Sequence, residues 1–247
     1  MSTTPVAAQL YTLRNETAED FKGTLKQVAD LGFDGVEFAG FGGHSAEEVK
    51  AMLDEFGLKA ASSHVPLTDL KERLDDVIRD QKTIGSSYIV CPYIEDRSEE
   101  DYEALIKDLA VAAAKCEQAG LTLCYHNHDF ELEKLLNGKT ALQTIFEEVP
   151  ALQTEFDVYW LQKADENPVE WLDSYSDRSP LVHMKDMTTD DEQFFAELGT
   201  GGVDVDRVWE KGKEVGVKWF IVEQDESRRT PIESLEISMN YVKNNLK

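Results

Sequence analysis

The chain carries five histidines, His44, His64, His126, His128 and His183, and four of them stand at or just after short apolar runs in the company of carboxylates. His64 closes Ser62-Ser63-His64, His126-Asn127-His128 closes the run at 121–126, and His183 closes Leu181-Val182-His183. Glu37 lies inside Val36-Glu37-Phe38, Asp157 ends Glu155-Phe156-Asp157, and Glu223 ends a run that continues Gln224-Asp225. Imidazoles and carboxylates brought together can move protons as general acids and bases. They can also hold a divalent ion: Asp157, His183 and Glu223 suit Mn²⁺, Mg²⁺, Co²⁺ or Zn²⁺ with positions left open for a substrate. A fourth ligand is expected from His126 or Glu131. Burying such groups is costly unless they are paired or bind a cation, so a structural ion-pair network is the competing explanation. Lys185 could neutralise a developing enolate or alkoxide, or simply pair with Asp186. Trp160, just beyond Asp157, could stack on a sugar face or pack as rim cover. Arg228 and Arg229 could meet an anionic group on a ligand or remain solvated, and His44 reads as a loop residue facing solvent.

These residues need elements that bring them together. Strand-like runs fall at 5–10, 35–38, 59–63, 88–91, 121–126, 152–156, 181–183 and 220–222. Helical periodicity falls between and after them, at 17–31, 45–56, 67–84, 99–119, 140–148, 168–175, 205–215 and 231–245. Stop and start signals support the pattern: Gly32, Gly57, Gly85, Gly120 and Gly216 follow helices, and Ser45-Ala46-Glu47-Glu48 fits a capping box. Strict alternation of strand and helix implies parallel strands with helical crossovers. Eight such units in 247 residues predict one (β/α)8 TIM barrel domain spanning 1–247. An open doubly wound sheet is the rival, but its glycine-rich first turn is missing from Gln9-Leu10-Tyr11-Thr12-Leu13-Arg14-Asn15. In a (β/α)8 barrel the active site gathers at the C-terminal strand ends, which is where the histidines and carboxylates fall.

Bulk properties narrow the function. A formal net charge of −24 repels phosphate backbones, so no nucleic-acid partner is expected. No apolar run approaches the roughly 18 residues of a membrane span, and Met1 to Leu10 shows no leader pattern, so a cytoplasmic protein without a membrane partner is expected. Cys91, Cys116 and Cys124 lack the spacing of a disulfide framework or a zinc knuckle.

Taken together, Val36-Glu37-Phe38, Tyr125-His-Asn-His-Asp-Phe-Glu131, Phe156-Asp157, Val182-His-Met-Lys-Asp186 and Val222-Glu-Gln-Asp225 resemble the sugar phosphate isomerase/epimerase family, in its His-Asn-His-x-x-Glu sub-group. That family is a branch of the xylose isomerase-like TIM barrels, which also include endonuclease IV, inosose dehydratase and the ketose 3-epimerases. The resemblance covers essentially the whole chain. It implies a metal held by Glu, Asp, His and Glu from strands five to eight, and Asp157, His183 and Glu223 match the last three. At strand five this chain departs, carrying His126 where the family has its glutamate. Glu131 is the nearest carboxylate and is taken as the fourth ligand, with His126 as the alternative. The implied reaction is isomerisation or epimerisation of a ketose or keto-polyol by proton abstraction alpha to its carbonyl. His128, Glu223 and His126 would handle protons, and His64, Lys185, Glu37 and Trp160 would hold the sugar or polyol. Alternatives are a keto-sugar or inosose dehydratase on the same site, and a non-catalytic sugar-binding barrel whose metal site has decayed. A DNA-repair role like that of endonuclease IV conflicts with the acidic surface. Many barrels of this kind pair, so a homodimer is a further expectation.

Overall fold

A computed structural model describes residues 4–247; the first three residues of the Met1–Leu10 stretch lie outside the described residues. Its centre is one sheet of eight parallel strands: β1 (Val6–Gln9), β2 (Gly35–Phe38), β3 (Lys59–Ser63), β4 (Tyr88–Cys91), β5 (Thr122–His126), β6 (Gln153–Asp157), β7 (Leu181–Met184) and, after a two-stranded hairpin of β8 (Asp186–Met187) and β9 (Phe195–Ala196), β10 (Trp219–Val222). The order β3-β2-β1-β10-β7-β6-β5-β4 runs round the sheet. The two ends meet where the Val65 N–H donates to the Val90 carbonyl at 2.8 Å and His64 bridges Val90. The result is the expected (β/α)8 barrel, nearly closed, with helices outside.

Side chains in a strand alternate sides, and here that rule sorts the chain into two cores. Outward residues such as Phe156, Val182 and Phe220 join helices in the large apolar cluster between sheet and helix layer. Inward residues Ala7, Ala61, Val90, Cys124, Leu181 and Ile221 form a small, dry lower layer inside the barrel. Two residues further along the same strands the inward positions become polar: Gln9 after Ala7, His126 after Cys124, His183 after Leu181, Glu223 after Ile221. Gly35, at the same lower level, leaves no room for a side chain: a Cβ there would stand 2.5 Å from the Lys59 carbonyl oxygen. Between β2 and β3 the register passes from Val36–Ala60 to Glu37–Ser62, leaving Ala61 as an extra residue. This bulge re-aims the end of β3 and sets the Ser62 hydroxyl against Glu37.

Several elements differ from expectation, the β8–β9 hairpin among them. The helix at 17–31 is two helices, α1 (Arg14–Glu19) and α2 (Phe21–Leu31), because Asp20 adopts φ −146° and its carboxylate caps Gly23. The helix at 67–84 likewise breaks at Arg73 into α4 (Leu67–Glu72) and α5 (Leu74–Ile84), α3 (Ala46–Phe56) lying earlier with the Ser45–Glu48 capping box. After α6 (Glu99–Gln118) and α7 (Ala141–Glu148), an unexpected turn of helix, α8 (Val158–Lys163), starts directly on Asp157. Then follow α9 (Pro168–Ser174), α10 (Val205–Val215) and α11 (Pro231–Tyr241). Among the described residues no helix is long and apolar enough to cross a membrane.

Candidate active site

The inward polar layer is two tiers deep. In the lower tier, Glu37 accepts from Gln9 Nε2 at 2.6 Å and from the Ser62 hydroxyl, and its Oε1 lies 2.6 Å from His183 Nε2 and 3.2 Å from His64 Nε2. Glu155, two residues before Asp157 on the same face of β6, places Oε2 2.7 Å from His64 Nε2 and 3.3 Å from His183 Nε2. In the upper tier, His183 turns its other nitrogen outward: Nδ1 lies 2.9 Å from Glu223 Oε2 and 3.8 Å from Asp157 Oδ2. Lys185 Nζ lies 3.0 Å from Asp157 Oδ2, 2.7 Å from Glu223 Oε2 and 2.8 Å from Asp225 Oδ2. His126 Nε2 approaches Asp157 Oδ2 to 3.3 Å. The other Asp157 oxygen is fixed, because Oδ1 accepts the backbone N–H groups of Tyr159 and Trp160 and so caps α8.

His126, Asp157, His183 and Glu223 each offer an atom within 4.8 Å of the others, as do His64, His126, Glu155 and His183. Both ring nitrogens of His126, Asp157 Oδ2 and Glu155 Oε1 are buried without a hydrogen bond. Buried polar atoms are rarely left unpaired, and imidazole nitrogens and carboxylate oxygens within 4.8 Å of one another are a suitable donor set for a divalent cation. The residues therefore fit such an ion.

Burial dominates the ionisation of the site, and ion pairs decide the outcome. Burial pushes His126 down to about 4 against the pull of Asp157, and it pushes His128 well below the ordinary imidazole value, with His126 and Lys185 adding to the effect. Both rings are neutral at pH 7, with lone pairs available. Burial opposes charge on His64 too, but Glu37 and Glu155 raise it to about 10, and Glu155, Glu37 and Glu223 likewise hold His183 well above its ordinary value. Against burial, Lys185 brings Asp157 down to about 2 and, with His183, keeps Glu223 well below the usual carboxylate range. Burial and then Glu37 push Glu155 up to about 8, and burial pushes Asp225 up to about 6.

Above this layer lies a cavity of about 610 Å³, walled on one side by His64, His126, His128, Lys185, Glu223 and Asp225 and on the other by Tyr11, Phe41, Arg73 and Tyr93. It is large enough for a sugar-sized ligand. His128 stands on the cavity wall with its ring stacked on Phe130, centroids 5.3 Å apart, and Trp160 behind it.

Several expectations need correction. Glu131, expected as the fourth ligand, belongs to neither four-residue group. Its carboxylate is turned outward through the barrel wall, where it accepts the Tyr125 hydroxyl at 2.9 Å and the His128 N–H at 2.7 Å. The strand-five position in the cluster is filled by His126. Glu37 and Trp160, expected on substrate, are not on the cavity wall: Glu37 is locked into the lower tier, and Trp160 backs His128. Lys185 does not pair with Asp186, whose carboxylate accepts the N–H groups of Met187, Gly199, Gly201 and Val203. Arg228 and Arg229 pair with Glu192 and Glu197 instead of facing the cavity. Glu155, Asp225, Gln9 and Ser62 were not picked out as site residues. The alternation rule would have found Glu155 and Gln9, each two places from an inward neighbour, whereas Ser62 depends on the bulge.

The family model described as xylose isomerase-like TIM barrel matches residues 25–244. Inosose dehydratase of Geobacillus kaustophilus (strain HTA426) is 24% identical over an alignment covering 88% of this chain and 85% of that protein. Among solved structures, a sugar phosphate isomerase/epimerase from Parabacteroides distasonis ATCC 8503 superposes with a TM-score of 0.86 at 22% identity, over 100% of this chain and 96% of that one. The IOLI protein, solved with a bound zinc atom, superposes with a TM-score of 0.75 at 15% identity, over 97% of each chain. Matched over most of its length and folded in the same way, the chain belongs to the xylose isomerase-like TIM barrel family.

Proposed function

We propose that this protein is a divalent-metal-dependent isomerase or epimerase of a ketose or keto-polyol, working by proton abstraction alpha to a carbonyl. The observation that carries the reading is the convergence of His126, Asp157, His183 and Glu223 within 4.8 Å, with both His126 nitrogens and Asp157 Oδ2 lacking a hydrogen bond, beneath a cavity of about 610 Å³. These four residues would hold the ion. When bound, it supplies a Lewis acid that polarises a carbonyl and makes the neighbouring C–H more acidic. The rest belongs to the chain. His128, neutral and on the cavity wall, is placed to take or return a proton. Glu223 reaches the same wall and is the second proton-handling group. His64 and Lys185, both cationic, face the cavity where a substrate hydroxyl or a developing oxyanion would lie. Phe41, Tyr11 and Tyr93 provide apolar surface for a sugar ring.

A second reading is supported by the inosose dehydratase relative. The same proton abstraction, followed by loss of hydroxide from the adjacent carbon, would make the site a dehydratase. Product analysis by NMR separates the two, since inversion or carbonyl migration conserves mass and dehydration releases water. Either way, Asp157→Ala and His183→Ala should abolish bound metal and turnover together. Turnover retained in both variants would refute the reading.

A further inference from the structure

Lys185 occupies an unusual position for an ammonium group. It is 1% exposed at the end of β7, and its three ion-pair partners are Asp157, Glu223 and Asp225. Two of those carboxylates also belong to the four-residue cluster that fits a divalent ion. The oxygen Lys185 approaches on Asp157, Oδ2, is the one left without a hydrogen bond. The same oxygens would therefore be neutralised by either of two cations, the ammonium or a divalent ion. An ammonium is a compact point charge with donors and no acceptor, so it neutralises these oxygens as a cation would, and a divalent ion among the same oxygens would be repelled by it at close range.

We infer that Lys185 and a divalent cation compete for Asp157 and Glu223, so that this lysine sets how tightly the barrel holds its metal and withdraws onto Asp225 when the metal enters. The inference rests on the metal-dependent reading above. Asp225 is suited to the receiving role. Of the three ion pairs, the one to Asp225 at 2.8 Å also has hydrogen-bond geometry, and Asp225 lies outside the ligand group. The rings of Trp160 and Phe195, each 5.8 Å from Nζ, give the ammonium a second favourable neighbour that does not depend on Asp157 or Glu223. A buried charge cannot be left unpaired without large cost, so a partner that persists after exchange is required, and Asp225 meets that need. Displaced in this way, Nζ stays on the cavity wall, where it can hold a substrate oxygen.

The test is calorimetric titration of Mn²⁺ into chelator-stripped protein at fixed pH and salt, for the wild type, Lys185→Met and Asp225→Asn, each checked for folding by circular dichroism. Lys185→Met should bind at least tenfold more tightly than the wild type. Asp225→Asn removes the receiving partner, keeps the ammonium on the metal ligands and should bind several-fold more weakly. Equal or weaker binding by Lys185→Met would overturn the inference while leaving the metal-dependent function standing. Binding by Lys185→Met alone would support the competition, overturn the withdrawal onto Asp225 and remove metal dependence from the wild type. Binding by neither would remove both. Should Lys185→Met fail to fold, Asp225→Asn decides: weaker binding supports the exchange, and unchanged or tighter binding overturns it.

Discussion

At the scale of single residues, two buried side chains give opposite lessons. His128 has lost its charge to burial and stands on the cavity wall. His128→Asn should therefore lower kcat by about 10²–10⁴ while leaving metal content unchanged. Steady-state kinetics with metal analysis by mass spectrometry checks this, and loss of metal would show that His128 is structural. Glu131, the carboxylate that falls outside the cluster, is pushed from an ordinary 4.5 up to about 7 by burial, against the hydrogen bonds it accepts. Its pKa is higher folded than unfolded, so the stability it contributes is complete below pH 4.5 and is lost as pH rises through about 7. Relative to the wild type, Glu131→Gln should gain stability across that window, by at most about 3 kcal/mol. Urea unfolding at pH 5 and pH 8 measures the change, and an equal offset at both pH values would contradict it.

Elements explain why some of this was legible and some was not. Position at the ends of the apolar runs is visible in the sequence, and with the family resemblance it put His126, Asp157, His183 and Glu223 at the barrel mouth. It also offered Glu131, because proximity in sequence cannot tell which way a chain turns after a strand. Past His126 the chain leaves the barrel and enters a short 3-10 turn at Phe130–Leu132, which carries Glu131 to the outer side of β5. The breaks at Asp20 and Arg73 were hidden for a related reason. Apolar periodicity continues across them, and only local capping and a backbone angle reveal the joint. Asp186 shows how much a single side chain can organise beyond the reach of sequence pattern. By accepting four backbone N–H groups at 2.8–3.0 Å it ties the 199–203 loop against β8. Asp186→Ala leaves those donors buried and should cost about 3–5 kcal/mol, read as a fall in the denaturation midpoint. A loss below about 1 kcal/mol would mean that water replaces the carboxylate.

At the scale of the whole molecule, the barrel separates two tasks. The dry lower layer of Ala7, Cys124, Leu181 and Ile221 closes the interior, and the polar layer above it concentrates carboxylates and cations that would be costly anywhere else. A ligand that binds the folded state alone stabilises it by mass action, by about 2.7 kcal/mol at a hundredfold excess over Kd. Saturating Mn²⁺ or Zn²⁺ should thus raise Tm by several degrees in the wild type and by nothing in Asp157→Ala. Metal dependence is decided by removing the ion altogether: strip the protein exhaustively with chelator, confirm metal content by mass spectrometry, assay a panel of ketoses and keto-polyols, then add Mn²⁺, Co²⁺ or Zn²⁺ stepwise. Turnover should vanish on stripping and return with about one equivalent of ion, in proportion to the sites formed by His126, Asp157, His183 and Glu223. Full turnover in metal-free protein would contradict metal dependence.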